Sequence, residues 1–204
     1  LLPAWDDPGY AEALVAACRA QAIGLLVPSA DRELAHLAPV AERLRADGVT
    51  VLLAAPATLA TCRDKAAFVA FCRAHGFPVP ATWQASETPP RFPVHVRPPT
   101  GQGGFGAGRV ATPALLRALR EATPGLLVQE CIDDPEYSVD LLMDLEGRAL
   151  QAVARRRLVV YGGEAQVSRV ECLPALTDAA MRLGEALGLV GHNVVQAFHT
   201  PERG

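Results

Sequence analysis

Phe92-Pro93-Val94-His95-Val96-Arg97-Pro98-Pro99-Thr100-Gly101-Gln102-Gly103-Gly104-Phe105-Gly106 places an extended apolar segment, a cation and a glycine-dense loop in direct succession. Glycine has no Cβ, so backbone N–H groups in such a loop can close around a phosphate. Arg97, at the end of the apolar segment, brings a charge that neutralises it. The stretch therefore reads as a loop for nucleotide phosphates.

Gly101, Gly103 and Gly106 also fit G-x-G-x-x-G, the dinucleotide fingerprint. That fingerprint needs a helix to open inside the loop, with its N-terminus on the pyrophosphate. Here Ala107-Gly108-Arg109-Val110-Ala111 reads as a second short strand. The next helix start is Thr112-Pro113, a side-chain cap followed by proline at the first helical position. The loop thus joins strand to strand, as a hairpin lid does. A plain surface hairpin is the remaining alternative, and Arg97 with the segments downstream argues against it.

At 204 residues and 50% hydrophobic, the chain can bury a sizeable core as one large or two small domains. A net charge of −3, with Arg155-Arg156-Arg157 the only basic run, gives no signal for nucleic acid or an anionic membrane. No apolar run is long enough to span a bilayer. Cys18, Cys62, Cys72, Cys131 and Cys172 show no C-x-x-C pair and read as reduced thiols of a cytoplasmic protein. Leu1 and Gly204 both read as interior positions of a longer protein.

Working outward, Asp6-Asp7-Pro8 caps a helix over about residues 9–22, followed by a short buried strand over 23–27. A second helix covers 31–46 and closes at Asp47-Gly48. A second apolar strand covers 49–54, and 55–61 is an exit segment. This α-β-α-β order is half of a doubly wound sheet. Asp64 to His75 is a helix ended by Gly76, and the prolines of 77–82 keep that segment extended. After the glycine hairpin come a helix over 113–122 and strands over 126–131, 137–143, 148–160 and 165–172. A helix over 175–187 and a final strand over 194–199 complete the order.

Five segments now stand in a fixed order: Arg63-Asp64-Lys65, the Arg97 loop, Leu127-Val128-Gln129-Glu130-Cys131-Ile132, Pro135-Glu136-Tyr137-Ser138-Val139-Asp140, and Asn193-Val194-Val195-Gln196-Ala197-Phe198. Together they resemble the ATP-grasp superfamily, especially the branch similar to the carbamoyl-phosphate synthase large chain. The resemblance implies an α/β chain with a partial doubly wound N-terminal domain over 1–61. An ATP-grasp module follows over 62–204, with its lid at about 78–128 and its C-terminal end truncated.

By that resemblance ATP is the cofactor, with magnesium or manganese. Lys65 and Arg97 reach its phosphates, with the Gly101, Gly103, Gly104 and Gly106 loop. Gln129, Glu130, Cys131 and Ile132 form the hinge that reads adenine, with Glu130 the expected side-chain contributor. Glu136 holds the ribose hydroxyls, and Gln196 helps to coordinate metal. Arg155 and Arg157 share one strand face, for an anionic substrate or as edge cations; Arg156 points the other way. The family carries a further strand, with metal-binding glutamate and asparagine, beyond the position of Gly204. No catalytic residue is assigned.

The implied activity is ATP-dependent ligation of a small-molecule carboxylate to an amine through an acyl phosphate, with a homodimer as an admissible assembly. The alternatives are a regulatory module that binds ATP without turnover, and a carbamoyl-phosphate synthase-like activity.

Overall fold

The computed structural model describes residues 2–84, 86–101 and 104–200, leaving aside the side chains of 31, 32 and 35. The fold is α/β, with three separate sheets among the described residues.

The first helix, α1 (Tyr10–Ala20), turns Tyr10, Leu14, Val15 and Cys18 inward. The expected single helix over 31–46 is instead three pieces. These are α2 (Asp31–Leu37), a 3₁₀ turn (Ala38–Val40) and α3 (Ala41–Ala46). Pro39 lies in the 3₁₀ turn; it lacks an N–H and its ring crowds the preceding carbonyls, so the α-helix cannot run through it. Strands β1 (Leu25–Leu26) and β2 (Thr50–Val51) pair in parallel. Val49, Val51 and Leu53 are buried with α1 and α3, through Val15 and Leu44. The 23–27 segment is not buried as expected: Ile23, Leu25 and Val27 are all exposed. Among the described residues β1 pairs with β2 alone, and of its two residues Leu26 packs against the α1–α3 core while Leu25 faces outward.

The exit segment over 55–61 carries most of helix α4 (Pro56–Arg63), with Pro56 in its first turn. It is followed at once by α5 (Lys65–Ala74). Between them Asp64 is extended, and its carboxylate accepts from the N–H groups of Ala66 and Ala67. That cap satisfies two of the free donors of the first turn.

The second sheet runs β3 (Thr82–Trp83), β6 (Leu127–Glu130), β4 (Val94–Arg97), β5 (Gly108–Val110), all neighbours antiparallel. Helix α6 (Pro113–Ala122) starts at Thr112, whose hydroxyl accepts from Leu115 N–H at 3.3 Å. It covers one face of the sheet, where Val94, Val96, Val110 and Val128 meet Leu116. Burying each valine contributes roughly 1.5–3 kcal/mol, so this face holds the lid together. The other face carries the alternate residues.

The third sheet runs β10 (Gly191–Phe198), β7 (Glu136–Met143), β8 (Ala149–Tyr161), β9 (Glu164–Glu171), again antiparallel throughout. Helix α7 (Pro174–Leu187) backs it, with Leu176, Ala180, Leu183 and Leu187 against Tyr137, Val139, Leu141 and Met143. Helix α5 joins the same core through Cys72, Phe68 and Phe71. Thr58 in α4 donates to the Leu187 carbonyl at 2.7 Å. Residues 131–135 connect the lid sheet to this one.

Candidate functional site

Strand β4 sorts its side chains by period two. Val94 and Val96 face α6, while His95 and Arg97 face the other way. Strand register extends that second face. His95 stands opposite both Arg109 and Gln129, and Arg97 opposite Leu127. Directly opposed residues of an antiparallel pair share a face, so Arg97, His95, Arg109 and Gln129 form one polar surface.

Beyond Arg97 the chain turns through the glycine loop. Gly101, Gly104 and Gly106 all have positive φ, and Gly104 accepts from Ala107 N–H at 3.1 Å. A Cβ on Gly106 would stand 2.9 Å from Pro98 Cγ, so glycine is required there. Phe105 is 92% exposed. Gly103 lies outside the described residues.

Lys65, the first residue of α5, meets this loop from the side. Its N–H donates to the Pro99 carbonyl at 3.0 Å and its Nζ to the Gly101 carbonyl at 2.8 Å. Burial pushes the Lys65 ammonium below its ordinary range, and the Arg97 charge adds to this, with Asp64 opposing. Burial also lowers the Arg97 guanidinium, and its buried Nε has no hydrogen-bond partner among the described residues. No carboxylate among the described residues forms a salt bridge with Lys65 or Arg97. Two cations thus converge at the mouth of a glycine loop without an anion between them.

The hinge differs from expectation at Glu130. Its side chain shares the sheet face of Val94, away from His95 and Gln129. One carboxylate oxygen accepts from Ala81 N–H at 2.9 Å and the other from Arg91 at 3.3 Å. Glu130 therefore ties the entry strand to the lid, and its carboxylate is occupied by these contacts. Gln129 is the side chain that lies on the Arg97 face. It is 3% exposed and donates to the Thr82 hydroxyl at 3.2 Å, leaving its amide oxygen to accept. Cys131 and Ile132 follow the end of β6, half-buried. The Cys131 thiol neighbours Arg109, whose main partner is Asp133 at 3.0 Å.

The open face of the third sheet is lined by Glu136, Ser138 and Asp140 of β7, opposite Phe198, Gln196 and Val194 of β10. Its arginines are already engaged. Arg155 forms a two-pronged pair with Asp140 and reaches the Ser168 hydroxyl at 3.2 Å. Arg157, only 5% exposed, donates to the Ser138 hydroxyl at 3.1 Å and the Gly163 carbonyl at 2.7 Å. Its Nε stands 3.2 Å from a Glu136 oxygen, out of hydrogen-bond alignment. These arginines are thus internal counter-ions, and neither is an uncompensated charge awaiting an anionic substrate. Arg156 lies opposite Tyr137 and Arg169, on the other face, as the alternation predicts.

Gln196 is exposed beside Ser138. Among the described residues no three His, Cys, Asp or Glu side chains converge as a metal site. Gln196 offers one amide oxygen and Asp140 is held by Arg155, so these groups do not by themselves make the oxygen set magnesium requires.

His95, Thr82, Arg109 and Asp133 were not singled out for a role from sequence. The signal for His95 was present, since a residue two before Arg97 on a strand must share its face.

Residues 122–201 match the family described as "ATP-grasp in the biosynthetic pathway with Ter operon". Over 125 residues the chain is 29% identical to mitochondrial acetyl-CoA carboxylase of Saccharomyces cerevisiae, covering 54% of this chain and 6% of that protein. The fold superposes on biotin carboxylase of Campylobacter jejuni, solved as its β-γ-ATP complex, with a TM-score of 0.75 at 15% identity. The match covers 98% of this chain and 51% of that one. L-amino acid ligase of Bacillus licheniformis gives a TM-score of 0.71 at 17% identity, covering 98% of this chain and 52% of the ligase. The chain thus spans about half the length of these two enzymes.

Proposed function

We propose that this chain, an ATP-grasp protein by its fold and by its matched segment, binds the triphosphate of ATP at the Lys65–Arg97 glycine loop and serves ATP-dependent ligation of a carboxylate. The convergence of Lys65 and Arg97 without a paired acid carries the reading. Two neighbouring cations repel, and the repulsion is relieved when a polyanion enters.

The nucleotide would lie with its phosphates under the loop and its base toward Gln129, Cys131 and Ile132. Glu136, at the start of β7 and paired with Arg157 at 3.2 Å, would accept from the ribose hydroxyls. In ligation a carboxylate oxygen attacks the γ-phosphorus, forming an acyl phosphate and releasing ADP. An amine nitrogen then attacks the acyl carbon and gives up a proton to water; the C–O bond breaks and inorganic phosphate leaves with that oxygen and its electron pair. The chain's own residues position the phosphates and neutralise charge as it shifts toward the leaving ADP. Magnesium would supply further neutralisation when bound. Small carboxylates and amines are the proposed substrates, and residues 1–61 and 62–204 the proposed domains.

A second reading, binding without turnover, is favoured by one observation: Asp140 is consumed by Arg155 rather than open toward the nucleotide.

Calorimetry with ATP and with adenosine tests the phosphate site. Arg97→Ala should weaken ATP by roughly one to two decades, since a charge-assisted contact contributes about 1.5–3 kcal/mol, and leave adenosine nearly unchanged. Equal losses for both ligands would remove Arg97 from the phosphates. ADP release across a panel of amino acids and small carboxylates then separates ligation from binding alone.

A further inference from the structure

His95 has no role in the site as built so far, yet it stands inside it. It lies two residues before Arg97 on the same face of β4, and directly across from Gln129. At about 3.3 Å per residue, its Cα is roughly 7 Å along the strand from that of Arg97, away from the glycine loop. It is half-buried, and its ring makes no hydrogen bond among the described residues. A half-buried imidazole with neither nitrogen bonded among the described residues, on a face already carrying two arginines and a buried amide, has hydrogen-bonding capacity to offer a ligand in the site.

We propose that His95 is a ligand-contacting residue of the nucleoside half of the site, placed between the phosphate end at Arg97 and the hinge end at Gln129. The inference rests on the nucleotide reading above and adds a specificity residue to it.

The surroundings set the form in which the ring acts. Arg97 on its own strand and Arg109 on β5 both face it, and Gln129 on β6 is neutral. Glu130 lies on the opposite face, and Asp133 is engaged with Arg109. No carboxylate is therefore placed to stabilise an imidazolium. Burial, and then the Arg97 and Arg109 charges, hold the ring below its ordinary range. At neutral pH it is an uncharged imidazole, with one nitrogen donating and the other accepting. Such a group discriminates the edge of a base or a sugar hydroxyl by hydrogen bonding, and adds no attraction for phosphate.

Adenosine and tripolyphosphate separate the two halves of the site, and calorimetry at pH 7.5 reads each. His95→Leu keeps an apolar body and deletes both nitrogens. It should lose about threefold to tenfold in adenosine affinity, the range for a neutral hydrogen bond, with tripolyphosphate affinity unchanged. His95→Gln retains a donor and an acceptor and should recover most of the loss. Thermal melting of both variants checks that the lid remains folded. Wild-type adenosine affinity in a folded His95→Leu variant would overturn the proposal and leave the nucleotide reading standing. An equal loss for tripolyphosphate would place His95 at the phosphates and overturn it as well. Failure of the unaltered chain to bind ATP, adenosine or tripolyphosphate would sink the nucleotide reading itself, and this inference with it.

Discussion

Lys65 Nζ donates to the Gly101 carbonyl at 2.8 Å, so the first turn of α5 holds the near end of the glycine hairpin. The same residue's N–H bonds Pro99, making a two-point seam between helix and loop. The helix start is rigid because Asp64 caps it. The ammonium is thus positioned by elements that do not themselves depend on a ligand. An entering phosphate competes with the Gly101 carbonyl for it, and a partly desolvated ammonium gains more from that exchange than an exposed one.

Replacing Lys65 by methionine deletes the charge and the Gly101 half of the seam, while keeping the apolar stem and the backbone bond to Pro99. ATP affinity should fall by about tenfold, as for a lost charged hydrogen bond, with adenosine affinity held. In the unliganded chain, amide exchange over residues 104–110 should also quicken, because one of the loop's few anchors is gone. Unchanged exchange in the variant would mean that the Gly101 contact does not restrain the hairpin.

What sequence revealed of this molecule follows from which signals are local. Thr112-Pro113 and Asp64 mark helix starts because a cap needs only its own next turn. The hairpin reading followed from that marker, since a helix that begins at Pro113 cannot open at Gly103. Pro39 was equally local, but a continuous helical pattern on both sides of it hid the break. Exposure of Leu25 and Val27 was not legible, because a strand's burial depends on what packs against each of its two faces. Nor was the fate of Glu130: its neighbour Ala81 is distant in sequence, and the contact depends on register between β3 and β6. Arg155 and Arg157 were identified as sharing one face, but their acids, Asp140 and Glu136, sit on the next strand. Alternation gives the face and cannot name the partner across it.

The Arg155–Asp140 pair should make stability depend on pH. Hydrogen bonds from Arg155 hold the Asp140 carboxyl below its ordinary range; burial opposes this, and the Arg155 and His192 charges reinforce it. The folded pKa therefore lies below the unfolded value. The stabilisation is fully present above about pH 4, the unfolded carboxyl value, and is lost as pH falls through the folded one. Both side chains are roughly a third exposed, so solvent screening reduces the contribution. Asp140→Asn should cost about 1–2 kcal/mol at pH 7 and markedly less at pH 3. Urea denaturation of both forms at the two pH values measures this. An equal cost at both would assign the effect to packing rather than to charge.

Gly184 in α7 gives the final test, because two opposing effects of known size meet there. In an open helix interior, Gly→Ala stabilises by roughly 0.5–1 kcal/mol through backbone entropy. Here the added Cβ would stand 2.5 Å from Leu141 Cδ2 and 3.0 Å from Met143 Sδ. Methionine can swing away, but Leu141 is wholly buried between α7 and α5 and has nowhere to go. Overpacking of that kind costs about 1–3 kcal/mol, so the contact outweighs the entropy and Gly184→Ala should be destabilising. Leu141→Val removes the methyl that collides, and the double variant should be less destabilised than the sum of the singles. The strain also has a direction. Leu141 is on β7 next to Asp140, so pushing its strand outward shifts Asp140 and Ser138 on the opposite face. Gly184→Ala should therefore weaken ATP binding although it lies behind the sheet, and Leu141→Val should partly restore it. A rise in melting temperature for Gly184→Ala alone would show that the helix is free to move off the sheet, and that the tight seat of α7 does not position the face of β7.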